Sequence, residues 1–192
     1  MNKKDDIIKA ALDEFGKNNY KQASVNQIIK VANTSKGNFY HYFKDKEDLY
    51  MRLVEDAFRK KAEVMTSINA DDFFSLLEVQ VLNGVKFAKE NPKFYQLSRR
   101  FAKEKGNLIY DKVINEISNT FEKGNLEAMI EKSYLNLSIN NEYPIEFVKK
   151  IVYYVFENLN DLIDEENIEL VEVEERLVLV IKFLKNGLYN KK

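Results

Sequence analysis

An all-α fold is predicted for this chain of 192 residues, and three observations predict it. Apolar residues recur at i, i+3, i+4 and i+7 along most segments, while no stretch sustains the period-two alternation of a half-buried strand. Glycine and proline number only six and two, so helices joined by short turns must account for most of the length. The length suits a single small core or two modest domains. A boundary is expected near residue 47, giving domains at 1–47 and 48–192 joined by a helix rather than a flexible linker.

The first helix carries Ile7, Ile8, Ala11, Leu12 and Phe15 on one face, with Asp5 and Asp6 near its positive end. A second, short helix starts at Ser24. Ser24 stands three residues before Gln27, the capping-box spacing in which each side chain answers a backbone donor near the other. Val25, Ile28, Ile29 and Ala32 then repeat at helical spacing. Asn33 follows where the chain must turn, and asparagine is the non-glycine residue that best tolerates a left-handed backbone. Thr34 or Ser35 caps a third helix, whose Phe39 and Phe43 point inward four residues apart. Asp45 caps a fourth, and its positive N-terminus, with Lys46 beside it, suits one phosphate.

The outer face of the third helix combines a cation, Lys36, an amide, Asn38, a phenol, Tyr40, and the single imidazole of the chain, His41. That mixture suits the major groove of DNA, where Lys donates to guanine O6 and N7 and the other groups reach phosphates or base edges. Gly37 sits among them at a cost of about 1 kcal/mol relative to Ala in a helix. Close approach of the backbone to another molecule would justify it. Between Gly16 and Lys46 six lysines oppose one aspartate, although the whole chain carries a net charge of −1. Such a local excess is the electrostatic footprint of a nucleic-acid-binding element. Tyr42, flanked by Phe39 and Phe43, is shared between core and surface, and Lys44 reads as a solvated charge. A lone histidine without cysteine or a carboxylate cluster is a poor metal ligand.

The run SKGNFYHYFKDKEDL, with an amphipathic helix and Tyr20 ahead of it, resembles the DNA-binding domain of the TetR family of transcriptional regulators. The similarity covers about Ile7 to Leu49, with weaker echoes to the C-terminus. It implies a helix-turn-helix whose second helix enters the major groove. By that resemblance Ser24 and Val25, at the start of the support helix, lie near the DNA backbone, as do Thr34 and Ser35 at the turn. Lys36, Gly37 and Asn38 lie nearest the bases, and Tyr40, His41, Tyr42 and Lys46 mainly grip phosphates. The family often has glycine where this chain has Asn19 and Asn33, but Asn accepts the same left-handed geometry. Val25 lacks the hydroxyl of the threonine that many relatives carry, so a phosphate contact from that side chain is lost.

Past Asp45, Leu49, Leu53 and Ala57 continue one helix to about Met65. Asp71 or Asp72 caps the next, which ends before Asn91-Pro92, and Pro92 fits the first turn of a helix that Gly106-Asn107 breaks. A further helix runs from about Leu108 past Phe121 to Gly124, which either bends or ends it. The stretch from Leu135 to Tyr143 reads as a loop, and Pro144 opens another helix. Ile151 to Phe156 and Leu177 to Leu184 are apolar nearly all round. Their β-branched residues admit a buried strand, but the length of the flanking segments and Gly187 as a C-terminal cap favour helix. A helix apolar on every side must be covered on every side. At the end of a small domain that implies a homodimer, with Ile181 in its seam. Between Glu157 and Glu175 nine acids and no base form a solvated face that repels DNA.

The absence of cysteine excludes disulfides, thiol catalysis and cysteine-bound metals. Neither GxxxxGK[ST] nor HExxH nor GxSxG occurs, so no enzyme activity, cofactor or metal is expected. Charged residues ahead of Ile7 leave no secretory apolar region. The longest apolar run, Ile151 to Phe156, falls far short of the roughly 20 residues of a membrane span, and a soluble cytoplasmic protein is expected. Ten of thirteen phenylalanines and seven of eleven tyrosines follow Tyr50, more aromatic surface than dimerisation alone requires. Core filling is the stronger reading for any single ring. The TetR resemblance nonetheless implies a ligand site in the C-terminal domain, with Phe87, Tyr95, Phe101, Tyr110 and Phe121 as lining. The expected function is a DNA-binding transcriptional regulator, a repressor released from a palindromic operator by a small, largely apolar ligand. Its partners are then double-stranded operator DNA, the small-molecule effector and a second copy of the chain. The alternative is an effector-independent architectural or cell-division factor of the same fold.

Overall fold

The computed structural model describes residues 2–65, 73–118, 124–136, 139–140, 142–158 and 169–188, and among them every extended element is an α-helix. Asn2 caps α1 (Lys3–Lys17), its side-chain oxygen accepting the Lys4 N–H at 3.1 Å, and Asp5 and Asp6 lie where the helix dipole favours acids. Ile7, Ala10, Ala11, Leu12 and Phe15 form its buried stripe. Ala10 belongs to that stripe, whereas Ile8, expected there, is only half-buried. The next two helices, α2 (Val25–Val31) and α3 (Lys36–Tyr42), have seven residues each, too few to persist alone. Ile28, Ala32, Phe39 and Phe43, all buried, hold them in place.

A fourth helix, α4 (Lys46–Met65), buries Leu49, Tyr50, Leu53, Val54 and Ala57. After it come α5 (Phe73–Glu90), α6 (Pro92–Ala102) and α7 (Leu108–Ser118), with Pro92 in the first turn of α6 where its missing N–H costs nothing. Gly106, between α6 and α7, has a φ of 89°, a left-handed backbone that a side chain would strain. The remaining helices are α8 (Gly124–Leu135), α9 (Ile145–Glu157) and α10 (Leu170–Leu188). Asp71, Asp72 and Phe121 lie outside the described residues, as do residues 159–168 of the acidic stretch. Helices α7 and α8 are described on either side of residues 119–123.

The chain forms two compact units, one of residues 1–63 with 87–120 and one of residues 64–86 with 121–192. The expected cut between residues 47 and 48 does not coincide with this division. Its physical reason is the packing of α1 along α6, which gives residues 87–120 a common core with the N-terminal helices. In the second unit Phe74, Ile130, Ile139, Val148, Val152, Ile181, Leu184 and Leu188 make one buried cluster. Two expectations are corrected there. Ile181 is a core residue rather than part of an exposed seam. Gly187 lies inside the last turn of α10 instead of capping it, because Leu188 beyond it is buried and its carbonyl accepts the Asn140 N–H at 2.6 Å.

Candidate nucleic-acid interface

The turn between α2 and α3 is built by backbone groups that a helix end leaves unpaired. Asn33 has a φ of 45°, in the left-handed region expected of it. This lets the Thr34 N–H reach the Ile29 carbonyl and the Asn33 N–H reach the Lys30 carbonyl, each at 3.2 Å, which is a Schellman closure. Lys3 Nζ donates to the Asn33 carbonyl at 3.2 Å and ties α1 to the turn. Ser35 then caps α3, its hydroxyl accepting the Asn38 N–H at 3.1 Å, and Asn38 Nδ2 donates to Thr34 Oγ1 at 3.2 Å. The first turn of α3 is therefore ordered before any partner arrives.

Phe39 and Phe43 face inward with ring centroids 5.9 Å apart, and Lys36, Gly37, Asn38, Tyr40 and His41 are exposed. A Cβ at Gly37 would meet only Ser35 Oγ, at an ordinary 3.8 Å. Among the described residues no neighbour requires glycine at that point. The Lys36 ammonium lies 6.0 Å from the Tyr40 ring. Tyr42 is half-buried and packs edge-on against His41 at 4.9 Å. Ser24 and Ser35 are exposed, and Val25 and Thr34 are half-buried at their helix starts.

Ser24 caps α2 through the Gln27 N–H at 3.4 Å, but only half of the expected capping box forms. The Ser24 N–H goes to Glu14 Oε1 at 2.9 Å, because α1 brings a carboxylate to a donor that Gln27 was expected to answer. At the start of α4, Asp45 Oδ1 accepts the Asp48 N–H at 2.8 Å and Asp48 Oδ2 accepts the Lys44 N–H at 3.0 Å. Asp45 thus answers one donor of the α4 N-terminus, the Asp48 N–H, while Asp48 takes the Lys44 N–H just ahead of the helix. Lys46 has an internal partner set as well: its ammonium donates to the carbonyls of Tyr20 at 2.8 Å and Ala23 at 3.1 Å and lies 4.5 Å from the Tyr20 ring. Burial lowers its pKa. One of its three N–H donors is still unassigned by these bonds, which is what a phosphate contact would need.

The family model described as "Bacterial regulatory proteins, tetR family" matches residues 7–53, the stretch whose geometry has just been given. The HTH-type transcriptional regulator QacR of Staphylococcus aureus is 28% identical over 193 residues, covering 95% of each chain. A crystal structure of a TetR family transcriptional regulator from Chloroflexus aurantiacus superposes with a TM-score of 0.71 at 22% identity, covering 98% of this chain and 94% of that one. Residues 7–53 carry the DNA-binding domain of the TetR family of transcriptional regulators. The fatty acid metabolism regulator protein of Bacillus subtilis is 40% identical over 50 residues, 26% of each chain.

The five aromatic residues expected to line a ligand site are placed less uniformly. Phe87 and Phe101 are fully buried. Phe101 stacks on Tyr110 with centroids 4.8 Å apart and meets Phe58 edge-on, the packing of a core. Tyr95 lies under the Arg99 guanidinium at 5.8 Å, and Phe121 is outside the described residues. Four of the five lie in the same compact unit as the DNA-binding helices. Sequence reasoning missed Glu14 and Glu104, both of which hold backbone donors next to the helix-turn-helix. No periodic or motif signal marks either residue.

Proposed function

We propose that this regulator is a repressor that binds a near-palindromic operator as a homodimer in the cytoplasm and is released from it by a small, largely apolar ligand. The observation that carries this reading is the pre-ordered, outward face of α3, with Lys36, Gly37 and Asn38 on its first turn and Tyr40 and His41 beyond. One such helix reads only a few base pairs, and specific affinity in this mode comes from two half-sites about 34 Å apart or a multiple of that.

A second copy of the chain is the occupant proposed for the apolar face of α9 and α10. Tyr154, Leu179 and Phe183 are exposed there, around a groove of about 820 Å³ that Val155 and Val180 also line. Large contiguous apolar surface on a soluble chain marks an interface, and a self-complementary face gives the two-fold symmetry that a palindrome mirrors. Release by a ligand rests on the family and on the aromatic helices between about Val54 and Phe156. To weaken operator binding a hundredfold, a ligand must favour the released conformation by about 2.7 kcal/mol.

The test is selection of duplexes from a random pool by the full chain, followed by a reporter carrying the enriched site. An enriched inverted repeat that silences the reporter, and a panel of apolar compounds in which at least one restores expression, is the expected result. Enrichment of no sequence would end the DNA-binding reading. A site that responds to no compound would favour the effector-independent alternative.

A further inference from the structure

The loop between α1 and α2 is held from a corner of the fold that lies far along the chain. Glu104, just past α6, is 4% exposed, and a carboxylate so buried is costly unless its oxygens are hydrogen-bonded. Both are. Oε1 accepts the Tyr20 N–H at 2.7 Å, and Oε2 accepts Asn107 Nδ2 at 2.6 Å. The Asn107 N–H in turn donates to the Glu104 carbonyl at 2.9 Å, so the corner that Gly106 makes possible fixes the direction of the carboxylate.

The same loop is held at three further points. Lys46 takes the Tyr20 and Ala23 carbonyls, and Glu14 takes the Ser24 N–H. Ser24 is the cap of α2, and α2 leads directly into the Schellman turn that sets α3. Nearby, Lys112 of α7 pairs with Glu47 in the first turn of α4. Of these ties, only Glu104 reaches the loop from the α6–α7 corner, 84 residues away in sequence.

We infer that Glu104 is a positioning residue for DNA recognition: by holding the Tyr20 N–H it sets the α1–α2 loop, and with it the placement of α2, Lys46 and the recognition helix. The inference rests on the DNA-binding reading above. Glu104 is buried, so its removal leaves the general attraction of the exposed lysines for phosphate in place. Its effect falls on the geometry that base contacts need.

The experiment compares the full-length wild type with Glu104→Ala and Glu104→Gln on a duplex enriched by the wild type and on a random duplex of equal length, at one salt concentration. Glu104→Ala loses a charge-assisted hydrogen bond and should bind the enriched duplex about tenfold or more weakly, with random-duplex affinity within about twofold of wild type. Glu104→Gln keeps an acceptor for Tyr20, and the Asn107 amide can turn to accept from the new NH2 group, so binding should return to within about threefold. Wild-type affinity of Glu104→Ala for the enriched duplex would overturn the proposal. So would parallel losses on both duplexes with reduced helix content that glutamine does not restore. Should the alanine variant not fold, Asn107→Asp sets a second carboxylate against Glu104; the same selective loss is expected, and wild-type behaviour overturns the idea. If the wild type enriches no duplex, the DNA-binding reading itself has failed and this one falls with it.

Discussion

In the helix pair α2–α3 the side chains left outside include Lys36, Asn38, Tyr40 and His41, whereas in the pair α9–α10 they include Tyr154, Val178, Leu179 and Phe183. Both pairs bury a stripe of apolar residues. In the short pair Ile28, Ala32, Phe39 and Phe43 are consumed by the core, and apart from Val31 and the Tyr40 ring the exposed remainder is polar. The longer pair has apolar residues left over after Val148, Val152, Ile181 and Leu184 have filled its own cluster. A surplus of polar groups on a rigid frame can meet a polyanion through hydrogen bonds, and a surplus of apolar groups lowers its free energy by being covered. The comparison therefore separates a face suited to DNA from one suited to another copy of the chain.

The sharpest way to break that contrast is to make one change in both places. Phe39→Ala empties a fully buried site and should cost about 3–5 kcal/mol, much of the stability of a small unit. Thermal unfolding should begin far below the wild-type midpoint, and DNA binding should be lost with it. Phe183 is 77% exposed, so Phe183→Ala should leave the helix content of the isolated chain unchanged, and Phe183→Asp should give monomers in sedimentation at micromolar concentration. A stable dimer from Phe183→Asp would remove α10 from the interface. Ile181→Asp cannot make this distinction, because it would disrupt the core of its own unit.

Within the polar face, a smaller effect separates Lys36 from Lys46. Lys36→Ala should narrow the gap between the cognate site and single-base variants by about 1–3 kcal/mol, with little change in melting temperature. Lys46→Ala should weaken cognate and random sequences both, with a salt slope shallower by about one. It should also lower the melting temperature, since the Tyr20 and Ala23 carbonyls lose their donor. Equal losses on cognate and random DNA for both variants would contradict this division of roles.

The smallest expected effect concerns the start of α4. Partial burial pushes the Asp48 carboxyl upward, but the Lys44 N–H and Arg52 outweigh it and hold the pKa below the ordinary 3.8. A carboxylate with a lowered folded pKa stabilises above the unfolded value, and that stability disappears as pH falls through the folded one. Asp48→Asn should therefore cost about 1 kcal/mol in urea unfolding at pH 7. The gap from wild type should shrink as the pH is taken below 3.8. A gap that stays constant with pH would mean that the charge of Asp48 contributes nothing.

By itself the sequence determined the helices, the turn at Asn33 and the caps at Ser24 and Asp45, and narrowed the α3 cap to Thr34 or Ser35, because each depends on side chains within about four residues of the backbone they serve. The outward face of α3 was legible only in part: Asn38 and His41 lie opposite the inward Phe39 and Phe43 by helical geometry, whereas Lys36 and Tyr40 share the side of that row and owe their exposure to the packing around it. Tertiary structure alone decided what crosses from one element to another. It gave the Ser24 N–H to Glu14 rather than Gln27, turned Lys46 onto the Tyr20 and Ala23 carbonyls, placed Ile181 in the core and brought Glu104 to Tyr20. Contacts of this kind leave no period and no motif in the chain. They depend on which buried donors and acceptors meet when the helices pack, and burial allows few to remain unpaired.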